Sequence, residues 1–89
     1  MAERRTYEVR LLVTARRQLL RVPAPIRARV GNAIRGLAAD PRPPGCKKLA
    51  ANNDYYRIRV GDYRVLYEVR DRDVVVLVIK IAHRRDVYR

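Results

Sequence analysis

The feature that most constrains this chain is the Gly61-Asp62 dipeptide, which lies between the alternating runs YYRIRV and YRVLYEV. Alternation of apolar and polar residues is typical of strands, and a two-residue loop that begins with Gly is typical of a type II′ hairpin turn. Such a short loop fixes the register, so that Arg59 lies opposite Arg64 and Tyr56 lies opposite Tyr67. We therefore predict an antiparallel hairpin.

The predicted register gives this hairpin one apolar side and one charged side, because side chains alternate along a strand. The apolar side holds Tyr56, Ile58, Val60, Tyr63, Val65 and Tyr67. The charged side holds Tyr55, Arg57, Arg59, Arg64, Leu66 and Glu68. Like charges that face each other across a ladder cost about 0.2–1 kcal/mol. The charged side is either a solvated surface or a site for an anion. If it is an anion site, relief of the repulsion predicts that Arg64→Ala leaves folding unchanged or raises stability slightly, by roughly 0–1 kcal/mol.

Two helices are predicted before the hairpin. Thr14 suits an N-cap position for the first helix, TARRQLLRV, which presents Ala15, Leu19 and Val22 on one side. The second helix runs from about Pro25 to Ala39. Its apolar stripe comprises Ile26, Val30, Ala33, Ile34 and Leu37.

The other segments predict strands. A first strand covers Tyr7 to Val13, and a short strand can begin at Cys46 to Leu49, after the connector DPRPPG. The last strand, Val74 to Ala82, is apolar on both sides, with Val74, Val76 and Val78 on one and Val75, Leu77 and Ile79 on the other. The order β-α-α-β-β-β predicts an α+β fold in which a helical hairpin packs on one face of a mainly antiparallel four-stranded sheet.

Length and composition narrow the functional classes. Residues 1–89 are enough for a single domain, and a lone Cys46 excludes an internal disulfide and a thiolate zinc site. We predict no cofactor and no metal. Because the sequence has neither a signal peptide nor a membrane-spanning apolar run, we expect a cytoplasmic protein. The net charge of +12 indicates a polyanionic partner, with nucleic acid first and an acidic protein second.

Three segments carry a resemblance to a known family. They are KKL at Lys47 to Leu49, YYRIRVGDYRVLYEV at Tyr55 to Val69, and HRRDVYR at His83 to Arg89. In this order the chain resembles toxins of the RelE/ParE superfamily, with a tail similar to that of the RelE branch. The resemblance implies the RelE-like microbial RNase fold over residues 1–89.

The resemblance also implies an activity and partners. The activity is that of a ribosome-dependent endoribonuclease that cuts mRNA in the A site by metal-independent attack of the ribose 2′-OH. The partners implied are a cognate antitoxin, the ribosome and mRNA, without a membrane; the toxin alone is expected to be a monomer that forms a hetero-oligomer with the antitoxin.

The resemblance also implies site residues. Catalytic roles fall on Arg57, Arg59, Arg64, Arg84 and Tyr88, and RNA contacts on Lys47, Lys48, Tyr55 and Arg85. Well-studied RelE toxins have lysines at the positions of Arg57 and Arg59. A guanidinium stays protonated near neutral pH and clamps phosphate, but it cannot act as a general base. His83 is the candidate replacement base, with a structural cap of the last strand as its alternative role.

Other interpretations stay open. Tyr88 either stacks on a base, holds a phosphate oxygen, or anchors the tail on the sheet. The whole protein is alternatively a ParE-like inhibitor of DNA gyrase, or a non-catalytic RNA-binding remnant of the same fold. We also expect the second apolar side of the last strand to bind an amphipathic acidic antitoxin segment, since cations surround it.

Overall fold

The computed structural model describes residues 6–87, with side chains to residue 85. The elements in chain order are β1 Glu8–Leu11, α1 Val13–Arg21, α2 Ala24–Gly36, β2 Lys47–Lys48, β3 Tyr55–Val60, β4 Tyr63–Arg70, β5 Val75–His83 and α3 Arg84–Val87. None of the helices within this range is long and apolar enough to cross a bilayer.

The strands form one mixed sheet in the order β1-β5-β4-β3-β2. β1 pairs with β5 in parallel, and every other pairing is antiparallel. The predicted α+β architecture is confirmed, with a sheet of five strands where four were predicted. The fifth strand is β2, which lies within the short strand suggested at Cys46 to Leu49, and its two residues pair with the start of β3.

The hairpin has the predicted register. All six pairs are present, including Arg59 opposite Arg64 and Tyr56 opposite Tyr67. Gly61 has a φ of 59°, a conformation that costs glycine little, whereas Asp62 does not share it. Positive φ at the first turn residue alone agrees with the type II′ turn.

β5 departs from its prediction in three places, one of which is its end at His83, one residue beyond the predicted Ala82. The strand begins at Val75 instead of Val74, because Val74 belongs to the turn and has a φ of 55°. A bulge then inserts Ile79, since Leu66 pairs with Lys80 while Tyr67 pairs with Val78. The bulge reverses the alternation of side chains from Lys80 onward.

The helices also differ from prediction at their ends. The prediction of Thr14 as N-cap is wrong: α1 begins at Val13 after Leu12, which makes no side-chain cap, so that Thr14 lies inside the first turn. α2 begins at Ala24 and ends at Gly36, three residues before the predicted Ala39.

The helices cover one side of the sheet, which we call the helical side. Ala15 and Val22 of α1 and Val30 and Ile34 of α2 are buried. They belong to a core cluster with residues of the central strands: Tyr56, Ile58, Val60, Val65, Tyr67, Val69, Val76, Val78 and Ile81. The opposite, outer side of the sheet receives no packing from α1 or α2, and the predicted charged side of the hairpin faces it.

Candidate nucleic-acid interface

Cations from four strands share the outer side of the sheet. Lys47 lies opposite Arg57, Arg57 opposite Leu66, and Leu66 opposite Lys80, so these side chains form one row across the sheet. Arg59 and Arg64 belong to the next row, which ends at Ala82. We call the five cations the basic face: Lys47, Arg57, Arg59, Arg64 and Lys80. Such a surface matches the spaced charges of a phosphodiester chain.

Two members of the basic face have no carboxylate partner in the described part of the chain. The three ion pairs found there join Arg10 to Glu8, Arg42 to Asp71, and Arg70 to Glu68. Arg59 is exposed and Arg57 is half-buried. Their guanidinium groups are therefore available for an external anion.

Arg64 differs from its neighbours because only 8% of it is exposed. It is the one buried charged side chain among the described residues. Truncation of a buried side chain removes packing, so the expectation that Arg64→Ala leaves folding unchanged no longer follows. Arg59 is the better position for testing function apart from stability.

The C-terminal turn is attached beside the arginines of the hairpin. The backbone N–H of Arg84 donates to the carbonyl oxygen of Asp62 at 2.7 Å. This bond places Arg84 and Arg85, both exposed, next to the turn that follows Arg59. Tyr88 lies outside the described residues, so its predicted role stays a prediction.

His83 lies on the helical side, away from the basic face. It is opposite Tyr63, and the two rings meet edge to face with their centres 5.3 Å apart. Its Nδ1 accepts the backbone N–H of Arg85 at 3.3 Å, as an N-cap side chain does at the start of a helix. The geometry thus gives His83 a structural role at α3, and its role as general base stays a prediction.

The predicted RNA contacts are also divided between the two sides. Lys47 and Tyr55 point to the outer side, where Tyr55 is 41% exposed. Lys48 lies opposite Tyr56 and therefore points to the helical side. Lys80, in contrast, belongs to the basic face although it was not predicted, since the apolar run of β5 gives no alternation from which its side could be read.

An apolar hollow, which we call the outer recess, adjoins the basic face. Its volume is about 220 Å³, and it is lined by Leu49, Tyr55, Leu66, Tyr67, Ile79 and Lys80. Of the second apolar side predicted for the last strand, Ile79 lines this hollow, whereas Val75 and Leu77 do not, and Val75 is buried.

A hydrogen-bonded group holds the opposite end of the sheet together. We call it the Arg42 cluster, and it comprises Tyr7, Arg42, Tyr56, Tyr67 and Asp71. The Arg42 guanidinium donates to Asp71 at 2.8 Å and to the Tyr56 hydroxyl at 2.9 Å. The Tyr7 hydroxyl donates to Asp71 at 2.6 Å, and the Tyr67 hydroxyl donates to the Pro41 carbonyl at 2.8 Å. These bonds connect the loop after α2 to the β4–β5 turn.

The pKa shifts also fall at this end of the sheet. The hydrogen bond to Asp71 raises the pKa of Tyr7 and that of Arg42. Burial raises the pKa of Tyr67. Among the described side chains, residues 6–85, no three His, Cys, Asp or Glu are grouped so as to hold a metal ion. Among the described residues, the candidate for contact with an anionic polymer is the set of cations on the basic face.

Comparison with known proteins assigns the family. The profile described as "ParE toxin of type II toxin-antitoxin system, parDE" matches residues 9–88. Toxin RelG of Mycobacterium tuberculosis is 34% identical over 84 residues, which cover 93% of this chain and 97% of that toxin. The fold is similar to a chain in the RelBE2 toxin–antitoxin complex of M. tuberculosis, with a TM-score of 0.78, 32% identity, and coverage of 97% of this chain and 100% of that chain. It is also similar to a chain in the RelE–RelB complex of Pyrococcus horikoshii, with a TM-score of 0.81, 30% identity, and coverage of 91% and 98%. The chain belongs to the RelE/ParE superfamily of toxins of type II toxin–antitoxin systems.

Proposed function

We propose that this toxin is a ribosome-dependent endoribonuclease that cleaves mRNA in the A site and so inhibits translation. The observation that carries the proposal is the basic face, in which Arg57 and Arg59 have no carboxylate partner among the described residues. Cations at this density repel one another in the free protein, and a phosphate between them removes the repulsion.

The proposed reaction needs no metal. The ribose 2′-oxygen attacks the adjacent phosphorus, the bond to the 5′-oxygen breaks, and the products are a 2′,3′-cyclic phosphate and a free 5′-hydroxyl. Negative charge accumulates on the phosphorane oxygens in the transition state. Arg59, which is exposed, and Arg57 next to it are suited to stabilise that charge through bidentate hydrogen bonds.

The arginines cannot remove the proton of the 2′-OH, because guanidinium groups stay protonated. The predicted base, His83, points to the helical side. We therefore propose that most of the rate comes from stabilisation of the phosphorane and from alignment of the mRNA by the ribosome, with little general-base catalysis by this chain.

We further propose that a cognate antitoxin covers the outer recess. Leu49 and Tyr55 are exposed there, each at 41%, and the cations of the basic face lie beside them. An amphipathic segment with acidic residues would bury the apolar side chains and neutralise the arginines at the same time. Several similar structures are named as RelB–RelE complexes, which supports this partner class.

A second candidate function is inhibition of DNA gyrase, as in ParE-like toxins. The match of residues 9–88 to a profile described as a ParE toxin favours it. This activity would act through protein binding and would not require the cations of the basic face. A non-catalytic RNA-binding module is less well supported, because Tyr55 is the one exposed aromatic side chain that the described part of the outer side offers for base stacking.

One experiment separates these functions. The wild-type protein and its Arg59→Ala variant are induced without an antitoxin, the 5′ ends of mRNA are mapped by primer extension, and plasmid supercoiling is followed in the same cultures. We expect new mRNA ends with the wild type, their loss with Arg59→Ala, and unchanged supercoiling. Altered supercoiling without new mRNA ends would overturn the proposal in favour of gyrase.

A further inference from the structure

A second cationic site lies between α1 and the end of β5. β1 pairs with β5 only as far as Val78, after which the chain turns into α1. The continuing edge of β5 is met by α1 instead of a strand: the Gln18 side-chain oxygen accepts the backbone N–H of Ile81 at 2.8 Å. Because a helix covers a strand edge less closely than another strand would, a hollow of about 320 Å³ remains there. We call it the α1 recess.

The polar side chains that line the α1 recess are all hydrogen-bond donors. They are Gln18, Arg21, Tyr63, Lys80 and His83, and no carboxylate among the described side chains, residues 6–85, lines the recess. The Gln18 oxygen is occupied by Ile81, which leaves its amide NH₂ to donate. Nδ1 of His83 accepts from Arg85, so the proton of a neutral ring lies on Nε2. A lining of one arginine, one lysine and three neutral hydrogen-bond donors, with no acidic side chain described among them, is typical of an anion-binding site.

The α1 recess adjoins the basic face across the edge of β5. Lys80 lines both the α1 recess and the outer recess. Ala82, which lines the α1 recess, is the residue opposite Arg64. A strand of RNA held by the basic face can therefore cross this edge and bring a neighbouring phosphate to Arg21 and Lys80.

We propose that the α1 recess is a phosphate-binding site that holds a backbone phosphate of the RNA strand next to the one bound at the basic face. The source of the phosphate rests on the proposed function, whereas the site itself rests on the lining residues. In this arrangement His83 contributes an Nε2–H donor to the phosphate and its Nδ1 to the start of α3.

The test uses His83 as its reporter, because the sequence contains a single histidine. The imidazole ¹H–¹⁵N signals of the full-length protein are followed during titration with inorganic phosphate, and separately with a short oligouridylate. We expect both ligands to shift the His83 signals. In Arg21→Gln the apparent affinity is expected to fall about tenfold, which corresponds to loss of one charge-assisted hydrogen bond.

Arg17→Gln is the matched control, since Arg17 is exposed on the same helix and does not line the recess. It removes the same charge and should titrate like the wild type. Lys80→Gln is the second recess variant and should lower the log–log salt slope of oligouridylate binding by about one. Equal losses of apparent affinity in Arg17→Gln and Arg21→Gln would show that the effect comes from the overall charge of the protein, and would overturn the site.

The outcomes distinguish the sources of phosphate. If inorganic phosphate shifts the His83 signals and the oligouridylate does not, the assignment to RNA is overturned. If neither ligand shifts them, the site itself is overturned. Failure of the proposed function is a separate result, seen as intact mRNA in the mapping experiment, and it does not alter the response of His83 to inorganic phosphate.

Discussion

The two ends of the sheet use arginine in opposite ways. In the Arg42 cluster, the Arg42 guanidinium donates to the Asp71 carboxylate at 2.8 Å and to the Tyr56 hydroxyl at 2.9 Å. Its Cζ also lies 5.1 Å from the centre of the Tyr56 ring. On the basic face, Arg57 and Arg59 have no carboxylate partner among the described side chains, residues 6–85. The difference shows that residue type alone does not identify a binding site. Arg42 joins elements of the fold through its partners, whereas Arg57 and Arg59, which have no such partner in the described part of the chain, are the proposed phosphate contacts.

The largest expected effect is on the basic face. We expect Arg59→Ala to lower the mRNA cleavage rate about 10²–10³-fold, because a cation is lost from the transition state. Its free energy of unfolding should stay within about 0.5 kcal/mol of the wild type, since the side chain is exposed. Translation-coupled cleavage and urea unfolding measure the two quantities. Arg72→Ala, an exposed arginine in the β4–β5 turn, is the control. A large loss of stability in Arg59→Ala with normal cleavage per folded molecule would reverse the comparison.

Arg42→Ala should give the opposite result. It removes a hydrogen bond to Tyr56 and a cation–π contact, and it breaks an ion pair that solvent screens, with side chains 38% and 53% exposed. We expect a loss of about 1–3 kcal/mol in the free energy of unfolding. Cleavage per folded molecule should not change. Unfolding in urea at neutral pH checks this, and unchanged stability would mean that the Arg42 cluster does not hold the fold.

Tyr67→Phe extends the comparison to the pH dependence of the free energy of unfolding. The variant loses the hydrogen bond to Pro41, which is expected to cost about 1 kcal/mol at neutral pH. Burial raises the pKa of Tyr67 above its ordinary value of 10.0. Between the unfolded and folded pKa values, the unfolded state has released a proton that the folded state keeps, so the free energy of unfolding falls as pH rises above 10.

Phenylalanine has no proton to release, so the stability difference between wild type and Tyr67→Phe should shrink as pH rises through this range. Urea unfolding at several alkaline pH values tests this expectation. A difference that stays constant above pH 10 would contradict the assigned protonation of Tyr67 in the folded protein.

The smallest effect is expected at His83. Because its Nδ1 accepts the N–H of Arg85, His83→Ala should cost about 0.5–1 kcal/mol, and His83→Asn, which can also cap, should cost less. Cleavage by the Asn variant is expected to stay within about one order of magnitude of the wild type. A loss of about 10²–10⁴ in both variants would show instead that His83 is the general base.

The parts of the fold and of the candidate site that could be predicted are those that a few neighbouring residues of the sequence determine. The facing of Arg59 and Arg64 follows from four residues around Gly61-Asp62, since a two-residue turn admits one register. The side to which His83 points depends on the bulge at Ile79, and the run VVLVI gives no alternation that would reveal an extra residue. One inserted residue carries His83 to the helical side.

The α1 recess was not predictable for a related reason. It joins Arg21 to Lys80 through the parallel pairing of β1 with β5, and that pairing leaves no pattern in either segment. The burial of Arg64 is likewise set by tertiary packing, whereas its position opposite Arg59 is set by the turn.

The position of β5 in the sheet determines when the fold can form during synthesis. β1 finds its one described strand neighbour in β5, more than 60 residues later in the chain. A ribosome delivers the chain from its N-terminus, so β1 and both long helices emerge before the strand that joins them to the hairpin. Until β5 emerges, the arginines of the hairpin lack the strand that carries Lys80 and Ala82 to their side. A nascent chain therefore cannot complete its basic face until residues 75–83 have left the exit tunnel. Under the proposed function, this order of synthesis would delay cleavage on the ribosome that is producing the chain.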